Sequence, residues 1–262
     1  MGIISTKNIT VILNHKEILK DISMSIAEGK RTVILGPNGS GKSTLLKALA
    51  GLLKCSAGSI YFDKQELQRV SKHQLAKQMA ILPQGAEAPK DLTVSDLVDY
   101  GRFPHRKWWG KAPKDDKECV IWALKQTGMD QFKNRLVSTL SGGERQRAWI
   151  AMALAQKPKV LLLDEPTTYL DIAHQLEVMN IVSKLNYDSG ISVVMVLHDI
   201  NHAMQFADEI VILKDGEVFA KGEPEKVITV DLLEKVFGVS ADVFINREGR
   251  TILVPTTFSK PK

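Results

Sequence analysis

A chain of 262 residues with 44% hydrophobic and 25% charged residues has the composition of an ordinary globular protein and can bury a core without staples. Its net charge of +5 suits nucleic acid, anionic headgroups or nucleotide phosphates alike and decides between none of them. Two cysteines without paired spacing, Cys55 and Cys119, argue against a disulfide framework or a zinc cluster and for a reducing compartment.

The first ten residues lack the basic-then-apolar pattern of a signal peptide. The segment Ile3 to Ile26 predicts short strands with turns at Asn14-His15 and Asp21. Arg31 to Leu35 is a short β-rich run that breaks into a glycine loop, Gly36 to Gly41, and a helical pattern follows from Lys42 to Leu53. Tyr61-Phe62 and Ala80 to Leu82 read as further strands. From about Gly85 to Ala155 apolar residues recur at helical spacing (Leu92, Val94, Leu97, Val98, then Val120, Ala123, Leu124), which predicts a helical insertion. Val160 to Leu163 and Ser192 to Leu197 are continuous apolar runs of the kind found in parallel strands buried on both faces. The helical segment Ile172 to Leu185 between them completes a βαβ unit. Strands are expected at Ile210 to Leu213, Glu217 to Ala220 and Val243 to Ile245, with a short helix over Pro224 to Phe237. No apolar run, Ile191 to Leu197 included, reaches the length of a membrane span, so any work at a membrane is expected to pass through a partner.

Three segments carry chemistry. Gly36-Pro37-Asn38-Gly39-Ser40-Gly41-Lys42-Ser43 satisfies G-x-x-x-x-G-K-[ST] between a strand and a helix, the context in which backbone N–H groups cradle nucleotide phosphates. Lys42 can reach the β- and γ-phosphates and the Ser43 hydroxyl can ligate Mg²⁺. The strand Val160 to Leu163 ends in Asp164 and Glu165, a metal-ligating carboxylate followed by one placed to polarise an attacking water. His198 closes the next strand, where an imidazole can orient that water. The third segment, Leu140-Ser141-Gly142-Gly143-Glu144, contains an S-x-x-E capping box that opens a helix to about Gln156. A cap does not need two consecutive glycines, whose missing side chains let a phosphate approach exposed N–H groups.

In this order, with Gln84 after a strand and Leu170-Asp171 downstream, the motifs resemble those of the nucleotide-binding subunits of ABC transporters. The resemblance spans essentially the whole chain. It implies an α/β fold: a P-loop NTPase core (1–84 and 156–262) with an N-terminal antiparallel β region and an inserted helical subdomain (85–155). It implies ATP and Mg²⁺ as cofactors. Gly36, Pro37, Asn38, Gly39, Ser40, Gly41, Lys42, Ser43 and Thr44 would hold the phosphates, and Ser43, Gln84 and Asp164 the metal. Glu165 and His198 would be catalytic. Ser141, Gly142, Gly143 and Glu144 would meet the γ-phosphate held by another subunit, and Asp171 would couple the two sites. One phosphate loop and one signature per chain then call for a homodimer. Two positions depart from the family pattern: Leu13 stands where an aromatic residue often stacks on adenine, and Glu144 replaces the commoner glutamine.

The segments Leu97 to His105, Arg147 to Ala155 and Pro166 to Glu177 are similar to those of ferric-siderophore importer ATPases, with haem and cobalamin importers as the alternative. That resemblance implies two permease subunits, an extracytoplasmic substrate-binding protein and a peripheral place on the cytoplasmic face of the cell membrane, with docking near Gln84 to Tyr100. The six histidines are scattered without ligand spacing, so direct iron binding is not expected. Trp108-Trp109 among basic residues suggests base stacking, but a nucleic-acid ATPase of this class usually carries a long coiled coil or a second ATPase domain. No nucleic-acid partner is expected. A non-catalytic scaffold subunit would typically lack Glu165 or His198, and both are present.

Overall fold

The computed structural model describes residues 2–106 and 115–258; the Trp108-Trp109 pair lies outside the described residues. The chain forms two compact units, one of residues 1–67 and 195–262, the other of residues 68–194.

The first unit begins with β1 (Ile4–Leu13) and β2 (Lys16–Ile26). They form a hairpin whose two turn residues, Asn14 and His15, both take positive φ (48° and 62°), as a type I′ connection demands. Asp21 does not turn the chain as expected: it lies inside β2 at φ 50°. The Asn8 amide of β1 donates to Asp21 Oδ1 at 2.5 Å, beside a break in the β1–β2 register. The pair marks a bulge, since Asn and Asp tolerate this backbone region better than most residues. Next come β3 (Arg31–Leu35) and α1 (Lys42–Leu49). The helix stops four residues short of Leu53 because Gly51 adopts φ 70°. Leu52 N–H then bonds Lys47 C=O at 3.0 Å and Gly51 N–H bonds Ala48 C=O at 2.9 Å, the two bonds of a Schellman cap. With β4 (Ala57–Phe62) and β5 (Gln65–Glu66), the first strands form an antiparallel sheet in the order β2-β1-β4-β5.

The second unit contains α2 (Lys72–Gln78), β6 (Met79–Leu82), α3 (Val94–Tyr100), α4 (Asp116–Gln126), α5 (Gly142–Ala155), β7 (Val160–Asp164) and α6 (Ile172–Ser189). Strands β6 and β7 pair in parallel, Met79 opposite Val160 through Leu82 opposite Leu163. Every residue of β7 is buried, which accounts for its unbroken apolar run. The helical stretch is seen as α3, α4 and α5, packed through Leu97, Val98, Ala123, Leu124, Ile150 and Leu154, each at most 3% exposed. Beneath them lies an ion-pair cluster. Arg102 Nε donates to Asp116 Oδ1 at 2.9 Å, both side chains almost fully buried. Arg106 joins Asp116 at 3.0 Å and Asp99 at 2.6 Å, and Arg102 Nη1 donates to Ala155 C=O at 2.7 Å.

Strand β8 (Ser192–Val196) carries the chain back to the first unit, followed there by α7 (Ile200–Phe206), β9 (Glu209–Lys214), β10 (Glu217–Gly222), α8 (Pro224–Val227), α9 (Val230–Leu232), β11 (Val239–Ile245) and β12 (Thr251–Phe258). β9 lies between β3, its parallel neighbour, and antiparallel β10. The single helix expected over Pro224 to Phe237 is broken. Ile228 is extended, the Thr229 hydroxyl caps a new start at Leu232 N–H, and Leu233–Phe237 winds as a π-turn ended by Gly238 at φ 68°. The hairpin β11–β12 is held to α7 by Asn201, whose amide donates to Leu253 C=O and accepts from Leu253 N–H, each at 3.0 Å.

Candidate active site

In the first unit β3 runs straight into the phosphate loop. Gly36 passes so close to the Leu213 carbonyl that a β-carbon would fall on its oxygen. Gly41, at φ 97°, is the N-cap of α1, so the loop ends with the amides of an eight-residue helix pointing back into it. Lys42 is only 6% exposed. Its ammonium donates to Gly36 C=O at 3.0 Å and Pro37 C=O at 2.9 Å. The Ser40 hydroxyl is buried without a hydrogen-bond partner among the described residues. A closed loop with a folded-back ammonium and an orphaned hydroxyl fits an anion that would give both groups oxygen partners. Ser43 and Thr44 follow on the first turn of α1. Leu197 N–H, just after β8, bonds Ile34 C=O of β3 at 3.3 Å, which brings His198 to the strand ends from which the loop springs. Leu13, 37% exposed, gives the end of β1 an aliphatic face.

In the second unit the parallel register of β6 and β7 sets Gln84 beside Asp164 and Glu165. Gln84 Nε2 donates to Glu165 Oε2 at 2.6 Å, and Thr168 Oγ1 donates to the same oxygen at 3.1 Å. Glu165 takes φ 53°, a strained conformation for a side chain of this kind and typical of functional turns. Asp164 is 4% exposed at the strand end. Gln84, Gly142, Arg145, Trp149, Asp164 and Glu165 line a cleft of about 260 Å³. Within this cleft Gln84 and Asp164 offer side-chain oxygens, the donor type preferred by a hard divalent cation.

The α5 N-terminus shows both halves of the expected capping box. Ser141 Oγ accepts from Glu144 N–H at 3.2 Å, and Glu144 Oε2 accepts from Ser141 N–H at 2.8 Å. Glu144 is thereby turned back onto its own cap. The Ser141 amide holds its carboxyl below the usual carboxylate range; partial burial opposes this, and the Ser141 hydroxyl, Arg135 and Arg147 reinforce it. A depressed folded-state pKa stabilises above the carboxylate range, and the contribution is lost as pH falls through that depressed value. Glu144→Gln should therefore cost at most about 1 kcal/mol at neutral pH, with the difference vanishing in acid, as urea unfolding at the two pH values would read.

Asp171 is the N-cap of α6, accepting from His174 N–H at 2.9 Å. Around it Tyr169 and Ile172 are 95% and 76% exposed. Two residues of this region escaped sequence reasoning. Thr168 holds Glu165, and its position three residues after the carboxylate was the available clue. His174 packs against Gly143, one helical turn after the Asp171 cap.

Residues 19–168 match the family model described as ABC transporter. The chain is 45% identical over 243 residues to the iron(3+)-hydroxamate import ATP-binding protein FhuC of Bacillus subtilis (strain 168), covering 93% of this chain and 90% of that one. Its structure resembles one assigned to the metal-chelate type of ABC transporter, in an inward-facing conformation, with a TM-score of 0.85 and 27% identity over 98% of each chain. It also resembles the dimeric cassette MJ0796 of a bacterial ABC transporter, with a TM-score of 0.74 and 32% identity over 84% of this chain and 98% of that one. A P-loop NTPase fold, a strand ending in adjacent carboxylates and a capped Ser-Gly-Gly helix start thus occur together in a chain that belongs to the ABC transporter family, as its ATP-hydrolysing cassette.

Proposed function

We propose that the chain powers the import of ferric siderophores, as a homodimer bound to two permease subunits on the cytoplasmic face of the cell membrane. An extracytoplasmic substrate-binding protein would deliver cargo to the permease. The observation that carries the cargo class is the 45% identity to an iron(3+)-hydroxamate import ATPase along 93% of the chain. No helix among the described residues is long and apolar enough to cross a membrane, so the permease supplies the passage.

In this reading the amides from Gly36 to Thr44 and the Lys42 ammonium bind the triphosphate. Ser43, Gln84 and Asp164 would hold Mg²⁺, which would neutralise phosphate charge when bound. Glu165 takes the proton of the attacking water, held by Gln84 and Thr168, and His198 orients that water. Ser141, Gly142, Gly143 and Glu144 serve the nucleotide of the second copy, and Asp171 couples the two sites. The exposure of Ser141, Gly142, Tyr169 and Ile172 supports a partner over this face, and the related cassette MJ0796 is dimeric.

Uptake of radiolabelled iron from a panel of ferric siderophores, in cells lacking the gene and complemented with either the wild type or Glu165→Gln, tests the proposal. Uptake should be lost in the deletion and restored by the wild type alone. Normal siderophore uptake in the deletion, with haem or cobalamin uptake lost instead, would overturn the cargo assignment and leave the ATPase intact.

A further inference from the structure

Beneath the Ser-Gly-Gly turn, α6 places Asp171, His174 and Glu177 at three-residue intervals, one above another on the helix surface. The His174 ring sits against Gly143: a β-carbon there would come within 2.6 Å of Cδ2 and 2.7 Å of Nδ1. These atoms belong to a rigid ring and cannot swing away as a flexible chain end would. Nδ1 lies 3.1 Å from Glu177 Oε2, and Nε2 lies 4.0 Å from Asp171 Oδ2. Glu177 Oε2 also accepts from Arg147 Nη1 of α5 at 3.0 Å. The ring is thus held by Glu177, which is itself anchored to the helix that begins at Gly142. Among the described residues, the charged groups facing it or its partner are Glu177, Arg147 and, at 4.0 Å, Asp171.

We infer that His174 is a positioning residue for ATP hydrolysis: its ring is the floor on which the Ser141–Glu144 turn rests, and it sets that turn relative to Asp171. The inference rests on the reading that this turn engages the nucleotide of a second copy. It also assigns Gly143 a reason to be glycine that lies under the turn, in addition to phosphate access above it. Removing the ring opens space under Gly143 and lets the turn settle, and displacement of a reacting group by about 1 Å can cost on the order of 10²-fold in rate. ATP bound first through the phosphate loop would keep its affinity.

Steady-state ATP hydrolysis by the full-length protein with His174→Ala and His174→Asn separates the possibilities, with thermal unfolding run on each. His174→Ala should lower kcat about ten- to hundredfold with KM for ATP unchanged. His174→Asn, which keeps a donor toward Glu177, should recover part of that loss. Wild-type kcat in both variants would overturn the inference. So would a rise in KM without a fall in kcat, or an asparagine variant no better than alanine. Ser141→Arg, assayed in parallel, tests the underlying reading: if it too hydrolyses ATP normally, the role of the turn itself fails, whereas an inactive Ser141→Arg beside normal His174 variants removes only His174.

Discussion

ATP turnover by the Glu165→Gln variant should fall about 10²- to 10⁴-fold, the share of rate that a positioned general base usually supplies. The substitution preserves shape: the new amide oxygen can still accept from Gln84 and Thr168, which now lie 2.6 Å and 3.1 Å from Glu165 Oε2. What it removes is the ability to take a proton. ATP binding should persist, since the groups assigned to it, Lys42 foremost, are untouched. A subunit that binds without hydrolysing should accumulate as a nucleotide-loaded dimer. Phosphate release in a single-turnover assay, with size-exclusion chromatography in ATP and Mg²⁺, reads both effects. Wild-type phosphate release from this variant would remove Glu165 from the role of base.

The largest stability effect is expected at Asp116. Its carboxylate accepts from Arg102 at 2.9 Å and Arg106 at 3.0 Å, with the Arg102 side chain 6% and its own 3% exposed. Burial works to raise the Asp116 carboxyl pKa, but the two guanidiniums outweigh it and hold the group below the usual carboxylate range. Removing one partner of such a pair strands the other: Asp116→Ala leaves Arg102 charged and buried, at a cost of about 3–5 kcal/mol. The pair's contribution is present above the carboxylate range and is lost as pH falls through the depressed folded-state value. Urea unfolding should show the midpoint reduced at neutral pH and the gap from wild type narrowing in acid. Replacing both members, Arg102→Met with Asp116→Leu, should cost less than Asp116→Ala alone, because no uncompensated charge remains. A double variant as unstable as Asp116→Ala would show that the cost lies in packing.

The phosphate loop, the Asp164-Glu165 strand end and the capped turn at Ser141 were legible because each is a local device whose residues lie within about eight positions. The buried strands β3, β7 and β8 were legible for a similar reason, since burial on both faces leaves an apolar run. Asp21 misled because its positive φ belongs to a bulge created by Asn8 across the hairpin, a partner that turn chemistry in one strand does not announce. Helices α2 and α7, seven residues each, are too short to build a periodic pattern and depend on the caps Ser71 and Asp199. Strand β12 escaped because its exposed half, Val254 to Phe258, mixes apolar and polar residues without alternation, and only Leu253 is buried. Thr168 and His174 act through contacts that the fold creates, with Glu165 in its left-handed turn and with Gly143 on a separate helix.

The folded-back Lys42 has an energetic consequence for the working cycle. The Lys42 ammonium donates to the Gly36 and Pro37 carbonyls, neutral acceptors that satisfy its hydrogen bonds and leave its charge for a phosphate. Nucleotide therefore enters by exchanging hydrogen bonds, and the net heat of binding is smaller than the contacts in the loaded state would suggest. The same exchange runs in reverse after hydrolysis: as phosphate and ADP depart, the lysine returns to partners waiting a few ångströms away. A buried ammonium with two backbone acceptors inside its own loop is thereby never left without a hydrogen-bond partner.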